Sequence, residues 1–520
     1  MHLKRDALVA DFWAKSPREG RPAETLAEHT RAALSILKGF FDRYPWLSDL
    51  VDQADLWEIL LWSIGLHDLG KVASGFQKAI KNNGRWNRRH EIVSLGFMPS
   101  TDSASERFWD LVRLGIASHH KDASVLIERY NIRYSGSDST ILGELIGELE
   151  SCDIQRLISW VVEEIADWAG LLCIHFSPDA SVLPGEITAE KLAQELSRYY
   201  SLASRLGDPF GDQALRKTAM VVRGVVEYCD HLASAGGRDV PRLDLPDNSE
   251  LGRRLPGISR WESHQKQAYL TDGSAYLRAP TGTGKTEAAL LWARRQMEHK
   301  KHRPSCLVYI LPYQASLNAM HRRLEEVLRA EVALLHGRAL QALYREYREQ
   351  ESDSTRAEAE AKARMDADFD RLFARPVWVS TIYQILRAAY RLPGYETLWT
   401  ALAGALIVVD EIHAYEPERL GLLIELLLEL KRNWGAEVLF VSATMPPWLA
   451  QLVEKAFDCA VVEADEALFS RSIRHRAEVI PGGLLSPEVL KMIASEYRNG
   501  GQVLVCTNTV KTSLAVSIMR

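Results

Sequence analysis

The sequence predicts a multidomain chain: an all-α domain, then an α/β domain with a parallel sheet, then the start of a second α/β unit. Three observations carry this reading. At 520 residues the chain is longer than one hydrophobic core usually fills. Its first half is rich in helix formers and tryptophan, with few β-branched runs between turn signals. From residue 274 onward, short apolar runs ("SAYLRAP", "SCLVYILP", "VALLHG", "PVWVST", "GALIVVDEI", "AEVLFVSAT") alternate with helical stretches, as in a parallel sheet covered on both faces. Gly, Pro, Asp and Ser cluster without periodicity in "SAGGRDVPRLDLPDNSELGRRLPGIS", which reads as a linker. The expected divisions are 1–235, a linker over 236–260, 261–470 and an incomplete 471–520.

Composition excludes several classes. With 47% hydrophobic and 25% charged residues the chain is globular, and no apolar run reaches the length of a membrane span. The opening "MHLKRDALVADFWAKS" lacks a signal-peptide core, and six scattered cysteines form no Cys-x-x-Cys pair. A cytoplasmic location fits best. The net charge of −6 argues against binding nucleic acid through a global basic field, though local grooves can be positive.

In the helical half, "DLWEILLWSIGL" is apolar on nearly every side and predicts a buried helix. It runs into "GLHDLGKV", whose adjacent His67 and Asp68 need partners at the end of such a helix. Six of the 15 histidines fall within the first 120 residues, and five of them, His29, His67, His90, His119 and His120, sit in or beside helical patterns. A lone histidine of this kind is more often structural; five with an aspartate suggest a metal cluster. An imidazole-rich set suits Fe²⁺, Mn²⁺, Co²⁺ or Ni²⁺ better than Mg²⁺. Two divalent ions ~4 Å apart repel by on the order of 15 kcal/mol at an effective dielectric of 20, so a bridging carboxylate is needed. Asp68 is the candidate. Such ions lower the pKa of a shared water and polarise a phosphodiester, and their affinity falls below pH ~6.5 as imidazoles protonate.

In the α/β half, "LRAPTGTGKTEAALLWA" follows a predicted strand and opens a helix, the context of a phosphate loop. Around Thr281, Gly282, Thr283 and Gly284 backbone N–H groups can approach phosphates; Lys285 supplies a point charge and Thr286 a Mg²⁺ ligand. Further on, "LIVVDEIHAYEPE" ends a strand with Asp410, suited to hold Mg²⁺, and Glu411, suited to orient or deprotonate a water. The charge-dense segment 341–371 reads as a solvated helical insertion and is assigned no function. After a break at 465–473, "HRAEVI", a helix and the strand "GQVLVCTNT" begin the second unit.

With "HQKQAYL", "LPYQASLNAM", "VSTIYQIL", "SATMP" and "LVCTNTVKT", the α/β half resembles superfamily 2 helicases. That resemblance implies a RecA-like fold, Gln265 reading adenine, Thr381 and Gln384 on a nucleic-acid backbone, and Ser442 and Thr444 coupling hydrolysis to strand movement. Read without the family, Ser442 and Thr444 are equally strand-end caps. The order H…HD…H…HH…D, with "FWAKS", "HDLGKVASGFQ", "RRHEIVSLGF" and a helicase core behind it, resembles the CRISPR-associated helicase-nuclease of type I systems over essentially the whole chain. The resemblance implies an HD-type phosphohydrolase fold and a single-strand DNA nuclease whose two metals are held by His29, His67, Asp68, His90, His119, His120 and Asp230. For the last carboxylate, Asp167 in "ADWAG" competes with Asp230 in "VEYCDHLASAG".

It also implies ATP with Mg²⁺ in the helicase site, single-stranded DNA as substrate, an RNA-guided (Cascade-like) surveillance complex as partner, and action on the displaced strand of its R-loop. The family continues through a whole second RecA-like domain with arginines that reach the γ-phosphate. The expectation is therefore a C-terminally truncated chain with incomplete helicase activity, which a second polypeptide could complete. Two other readings stay open: a nucleotide phosphohydrolase fused to a helicase outside CRISPR immunity, and a non-catalytic ATP-binding scaffold.

Overall fold

The helical half starts where its sequence caps a helix. In "TLAE", Thr25 accepts a hydrogen bond from Glu28 N (3.2 Å) while Glu28 accepts one from Thr25 N (2.8 Å), a reciprocal cap that begins α1, Leu26–Arg43. Ahead of it a two-stranded antiparallel ribbon, β1 (Trp13–Lys15) and β2 (Glu24–Thr25), adds a β element that the helical pattern does not announce. The apolar run becomes α2, Leu56–Leu66, with ten of its residues buried, so the other helices pack round it. The further helices of this half include α3 (His90–Leu95), α4 (Glu106–Ser118), α5 (Ser151–Leu171), α6 (Ala189–Gly207) and α7 (Gln213–Ser234), of which α4, α5 and α7 pack on α2 directly, as α1 does.

This computed structural model describes residues 9–17, 22–99, 106–120, 123–130, 138–175, 181, 183–208, 210–237, 240–255, 260–350, 356–473 and 477–518. The chain divides into two units, Met1–Asp465 and Glu466–Arg520. Among the described residues no helix is long and apolar enough to cross a membrane.

Within the first unit the α/β half forms one seven-stranded sheet. Its strands are β3 (Ala275–Arg278), β4 (Leu307–Ile310), β5 (Val332–Leu335), β6 (Val377–Ser380), β7 (Leu406–Asp410), β8 (Glu437–Ser442) and β9 (Ala460–Glu463), in the order β5-β6-β4-β7-β8-β3-β9. Every pairing is parallel. All six expected strands form; β9 is additional, from the short β-branched run "AVVE". Both faces are buried, which is why the strands read as unbroken apolar runs. Val308, Ile310, Ile407 and Val409 face a core continuous with that of the helical half, while Leu307, Tyr309, Leu406 and Val408 face a second core.

The charged segment after residue 338 is not wholly solvated. It forms two helices, α10 (Ala339–Gln350) and α11 (Arg356–Arg371), following α8 (Lys285–His299) and α9 (Gln314–Leu328). One side of α11 buries Ala359, Ala363, Ala367 and Phe369, and its Asp366 and Asp370 pair with Arg375. Alternating charge hid that apolar stripe because alanine contributes little to a hydrophobic pattern. The segment between the halves also packs: Leu243, Leu245, Leu251 and Leu255 are buried in the second core.

The helical half is anchored to the sheet by α1. Arg43, 4% exposed, donates to the carbonyls of Ser305 (2.9 Å), Ala374 (3.0 Å) and Arg375 (3.4 Å), and Tyr44 donates to Ala401 (3.2 Å). A second contact pairs Arg223 on α7 with Glu396 at 2.6 Å, where α12 (Tyr395–Ala401) comes so close that a side chain at Gly224 would collide with the Glu396 carbonyl.

In the second unit, α13 (Pro487–Arg498) and α14 (Val510–Ile518) form, but the expected strand "GQVLVCTNT" is irregular over 501–507. No strand lies among the described residues of this unit, and an isolated β-run has no ladder to complete. His475 and Arg476 of "HRAEVI" lie outside the described residues.

Replacing Arg43 by Ala strips buried carbonyls of a charged donor and should cost about 2–4 kcal/mol, read as a lowered denaturation midpoint.

Candidate metal centre and nucleotide site

The turn "GLHDLGKV" is held by close backbone packing. α2 ends at His67, and Leu69–Val72 form a 3-10 turn against α3. Ser94 on α3 donates to the His67 carbonyl (2.7 Å) and accepts from Gly70 N (2.8 Å). A Cβ on Gly70 would collide with His90 O and Ser94 N, both backbone. This clamp brings His90 to Asp68.

Five helices then converge. His29 comes from α1, His67 and Asp68 from the end of α2, His90 from the start of α3, His119 and His120 from just past α4, and Asp230 from α7. Two ligand groups result, His29–His67–Asp68–Asp230 and His90–His119–His120, each with its atoms within 4.8 Å of one another. Asp68 faces both. Its Oδ2 lies 3.3 Å from His29 Nε2 and 3.4 Å from His67 Nε2; its Oδ1 lies 3.0 Å from His90 Nε2 and 4.0 Å from His119 Nε2. Asp230 meets His29 Nε2 at 3.0 Å and His120 Nδ1 at 3.6 Å. Asp167 is solvent-exposed on α5, so the structure brings in Asp230 rather than its competitor.

The ring orientations are fixed from behind. His67 Nδ1–H donates to the Ile64 carbonyl and His119 Nδ1–H to the Ile116 carbonyl, both at 2.7 Å, which turns each Nε2 inward. Glu24 Oε1 lies 3.1 Å from His29 Nδ1 and is itself held by Lys15 at 2.7 Å. Nε2 of His67, His90 and His119, Oδ1 of Asp68 and Oδ2 of Asp230 are buried without a hydrogen-bond partner among the described residues. Orphaned imidazole and carboxylate atoms aimed into one space are the donors that divalent transition metals satisfy, so the residues fit that group.

Burial alone would raise the Asp68 carboxyl, but His67, Lys71 and His90 outweigh it and hold it well below the usual range. Burial likewise opposes ionisation of Asp230, and His29 and His67 overcome it. Burial, reinforced by His120 and His67, keeps His119 far below the ordinary imidazole value, and burial takes His120 to about 4. Both rings are therefore neutral at pH 7, as ligation requires.

Sequence reasoning passed over three neighbours. Lys71 donates to Asp68 Oδ2 at 2.6 Å, and its place three residues after Asp68 in the same motif was a usable signal. His231, beside Asp230, groups with His120 and Asp230. Glu24 reaches His29 through the ribbon, which no local pattern foretold.

The residues expected to bind nucleotide gather at the carboxyl ends of β3, β7 and β8, where open α/β sheets place ligands. Gly282 and Gly284 adopt positive φ (75° and 85°), and Thr283 donates to the Pro280 carbonyl at 2.7 Å, shaping the loop that includes the exposed Thr281. Lys285 and the buried Thr286 open α8. Gln265 lies beneath the loop: its Oε1 accepts from Glu262 N (2.8 Å) and its Nε2 donates to the Gly284 carbonyl (3.2 Å). Lys285 Nζ stands 3.8 Å from Glu411 Oε1. Asp410 accepts from the Tyr309 hydroxyl (3.1 Å), and burial with the Glu411 charge raises its carboxyl to about 6. His413 and Ser442 meet at 2.8 Å, and Ser442 accepts from Thr444 N at 3.2 Å, linking "DEIH" to "SAT". Thr381 and the half-buried Gln384 lie at the start of the helix Ile382–Ala389, beyond β6.

A helical domain with a buried histidine–aspartate cluster, joined to a RecA-like helicase domain, is the class these features define. Residues 13–237 match the family profile "Cas3, HD domain", and residues 263–452 match "DEAD/DEAH box helicase". The CRISPR-associated endonuclease/helicase Cas3 of Thermus thermophilus is 31% identical over 518 residues, covering 90% of this chain and 52% of that protein. The CRISPR-associated nuclease/helicase Cas3 of Methanothermobacter thermautotrophicus is 22% identical over 496 residues, covering 86% and 56%. The crystal structure of T. fusca Cas3 with AMPPNP superposes with a TM-score of 0.51 at 22% identity, covering 86% of this chain and 51% of that one, which speaks for the fold. This chain belongs to the Cas3 family of CRISPR-associated helicase-nucleases. It spans about half the length of the curated relatives it matches.

Gly70→Ala should destabilise the chain by about 1–3 kcal/mol in chemical denaturation, because the added methyl must push two backbone segments apart. Asp410→Asn should do the opposite. Its folded-state value of about 6 exceeds the ~3.9 of an unfolded aspartate, so ionised Asp410 weakens the fold above pH 6 and that cost fades as pH falls towards 4. The variant should gain on the order of 2 kcal/mol at pH 8 and almost nothing at pH 4, measured by denaturation without nucleotide or Mg²⁺.

Proposed function

We propose that this chain works in CRISPR interference, its helical half cutting single-stranded DNA with two divalent transition metals and its helicase half using ATP with Mg²⁺ to unwind and move the strand. The observation that carries the reading is Asp68, whose two oxygens face two separate groups of imidazoles. His29, His67, Asp68 and Asp230 would hold one ion and His90, His119 and His120 the other, with Asp68 shared between them. When bound, the ions supply Lewis acidity towards a water and a phosphodiester. The chain's own groups do the rest. The backbone carbonyls of Ile64 and Ile116 hold the Nδ1 protons of His67 and His119, so their Nε2 atoms stay available. Lys71 balances the charge on Asp68 Oδ2.

In the helicase half, Lys285 would leave Glu411 for the nucleotide phosphates, Thr286 and Asp410 would take Mg²⁺, and the freed Glu411 would orient the water. Thr281, Gly282, Thr283 and Gly284 would line the phosphates, and Gln265, already bound to the loop, would link it to the base. The substrate in the cell would be the displaced strand of an R-loop made by an RNA-guided surveillance complex. Base pairing there supplies sequence specificity and leaves this chain backbone contacts and stacking.

Purified chain with Mn²⁺ should cut circular single-stranded DNA and leave deoxynucleoside triphosphates intact. Asp68→Ala should lower that rate by at least ~100-fold and lower the bound transition metal found by elemental analysis. Hydrolysis of nucleotides without DNA cleavage would sink the nuclease reading, and unchanged metal content in the variant would sink the two-metal site.

A further inference from the structure

Three of the cluster imidazoles have an acceptor behind the nitrogen that points away from the centre. The Ile64 and Ile116 carbonyls back His67 and His119, and the Glu24 carboxylate, beside Lys15, backs His29. His120 instead turns Nδ1 towards Asp230. For His90 no backbone carbonyl does this among the described residues. The group behind it is the next residue, Glu91: its Oε2 lies 3.6 Å from His90 Nδ1, while His90 Nε2 lies 3.0 Å from Asp68 Oδ1.

The position of Glu91 gives that contact its weight. Successive residues on a helix do not face each other, so a carboxylate turned back onto the preceding ring is held there by its surroundings. An acidic residue in a first helical turn ordinarily faces water and serves the helix dipole. Glu91 is instead 0% exposed, and burying a charge is costly unless partners offset it. Arg89 pairs with its Oε1, and the Glu91 backbone N–H steadies the group. Oε2 is buried with no hydrogen-bond partner among the described residues, and it is the oxygen that faces His90.

A gap of 3.6 Å is longer than the ~3.2 Å of a hydrogen bond. Ligation supplies the reason for it to close. A neutral imidazole that gives Nε2 to a cation must carry its proton on Nδ1, and the bound charge makes that N–H a stronger donor. Glu91 Oε2 is the acceptor already in place.

We infer that Glu91 is a positioning residue for the ion assigned to His90, His119 and His120: its carboxylate accepts a hydrogen bond from His90 Nδ1–H, holds Nε2 towards Asp68 and strengthens that nitrogen as a ligand. Each ion group then has one imidazole backed by a carboxylate, His29 or His90, and one backed by a helix carbonyl, His67 or His119. This role rests on the two-metal reading proposed above.

The test is Mn²⁺ titration of the full chain after chelator treatment, without nucleotide, in an Asp410→Asn background that removes a carboxylate of the helicase site. Calorimetry counts the ions, and electron paramagnetic resonance reports whether they are coupled. The parent should bind two ions that couple through Asp68. Glu91→Gln keeps the shape and removes the charge; it should hold one ion as the parent does, bind the other about 10–100-fold more weakly, and show the hyperfine lines of isolated Mn²⁺ in place of a coupled pair. Should that variant fail to fold with Arg89 left unpaired, Arg89→Gln with Glu91→Gln removes both charges and should show the same selective loss. Arg89→Gln alone breaks the ion pair but keeps the carboxylate, so it should keep both ions; losing the second ion there as well would make the pair merely structural and overturn the role. Two tight, coupled ions in Glu91→Gln or in the double variant overturn it with the two-metal reading intact. A parent that binds fewer than two ions overturns that reading and this role together.

Discussion

Two carboxylates buried in an apolar bundle set the conditions that the rest of the helical half meets. Asp68 and Asp230 are 1% and 3% exposed, in surroundings that on their own would neutralise them. They remain ionised because imidazoles and one lysine arrive from several helices, and each arrival depends on a specific piece of backbone. Ser94 and the bare Cα of Gly70 let α3 close on the turn, and Thr25 starts α1 at the position that carries His29 inward. Little of that geometry could move without leaving a charge uncompensated, which costs several kcal/mol in an interior.

The nucleotide site rests on a different logic. Strands in parallel register bring Arg278, Asp410 and Ser442 to neighbouring strand ends, so residues far apart in sequence meet because the sheet aligns them. The charges there are only partly balanced: Asp410 sits beside Glu411, and Lys285 stands 3.8 Å from the latter. A polyphosphate with its cation would redistribute those charges, so its binding would add stability.

Much of this was legible in the sequence because local patterns carry it. The six expected strands came from short β-rich runs, the phosphate loop from its glycines and position, and the histidine cluster from histidines spaced along helices. Asp230 could not be separated from Asp167 by sequence, since both stand in helical stretches; only the fold turns one inward and leaves the other on the surface. Glu24 and β9 depend on pairing partners distant in the chain. The buried side of α11 was masked by alanines among charges, and the unpaired run at 501–507 looked like a strand because a propensity says nothing about a neighbour.

Helix α1 touches both halves of the first unit. It carries His29 near its first turn and ends with Arg43 embedded among carbonyls of the sheet domain. The two anchors are fourteen residues apart, about 21 Å along the axis at 1.5 Å per residue. One inserted or deleted residue between them would turn one anchor by about 100° relative to the other, so that an imidazole in the cluster and a guanidinium in the sheet could no longer both be served. Over this stretch descent can rewrite the letters but must preserve their number.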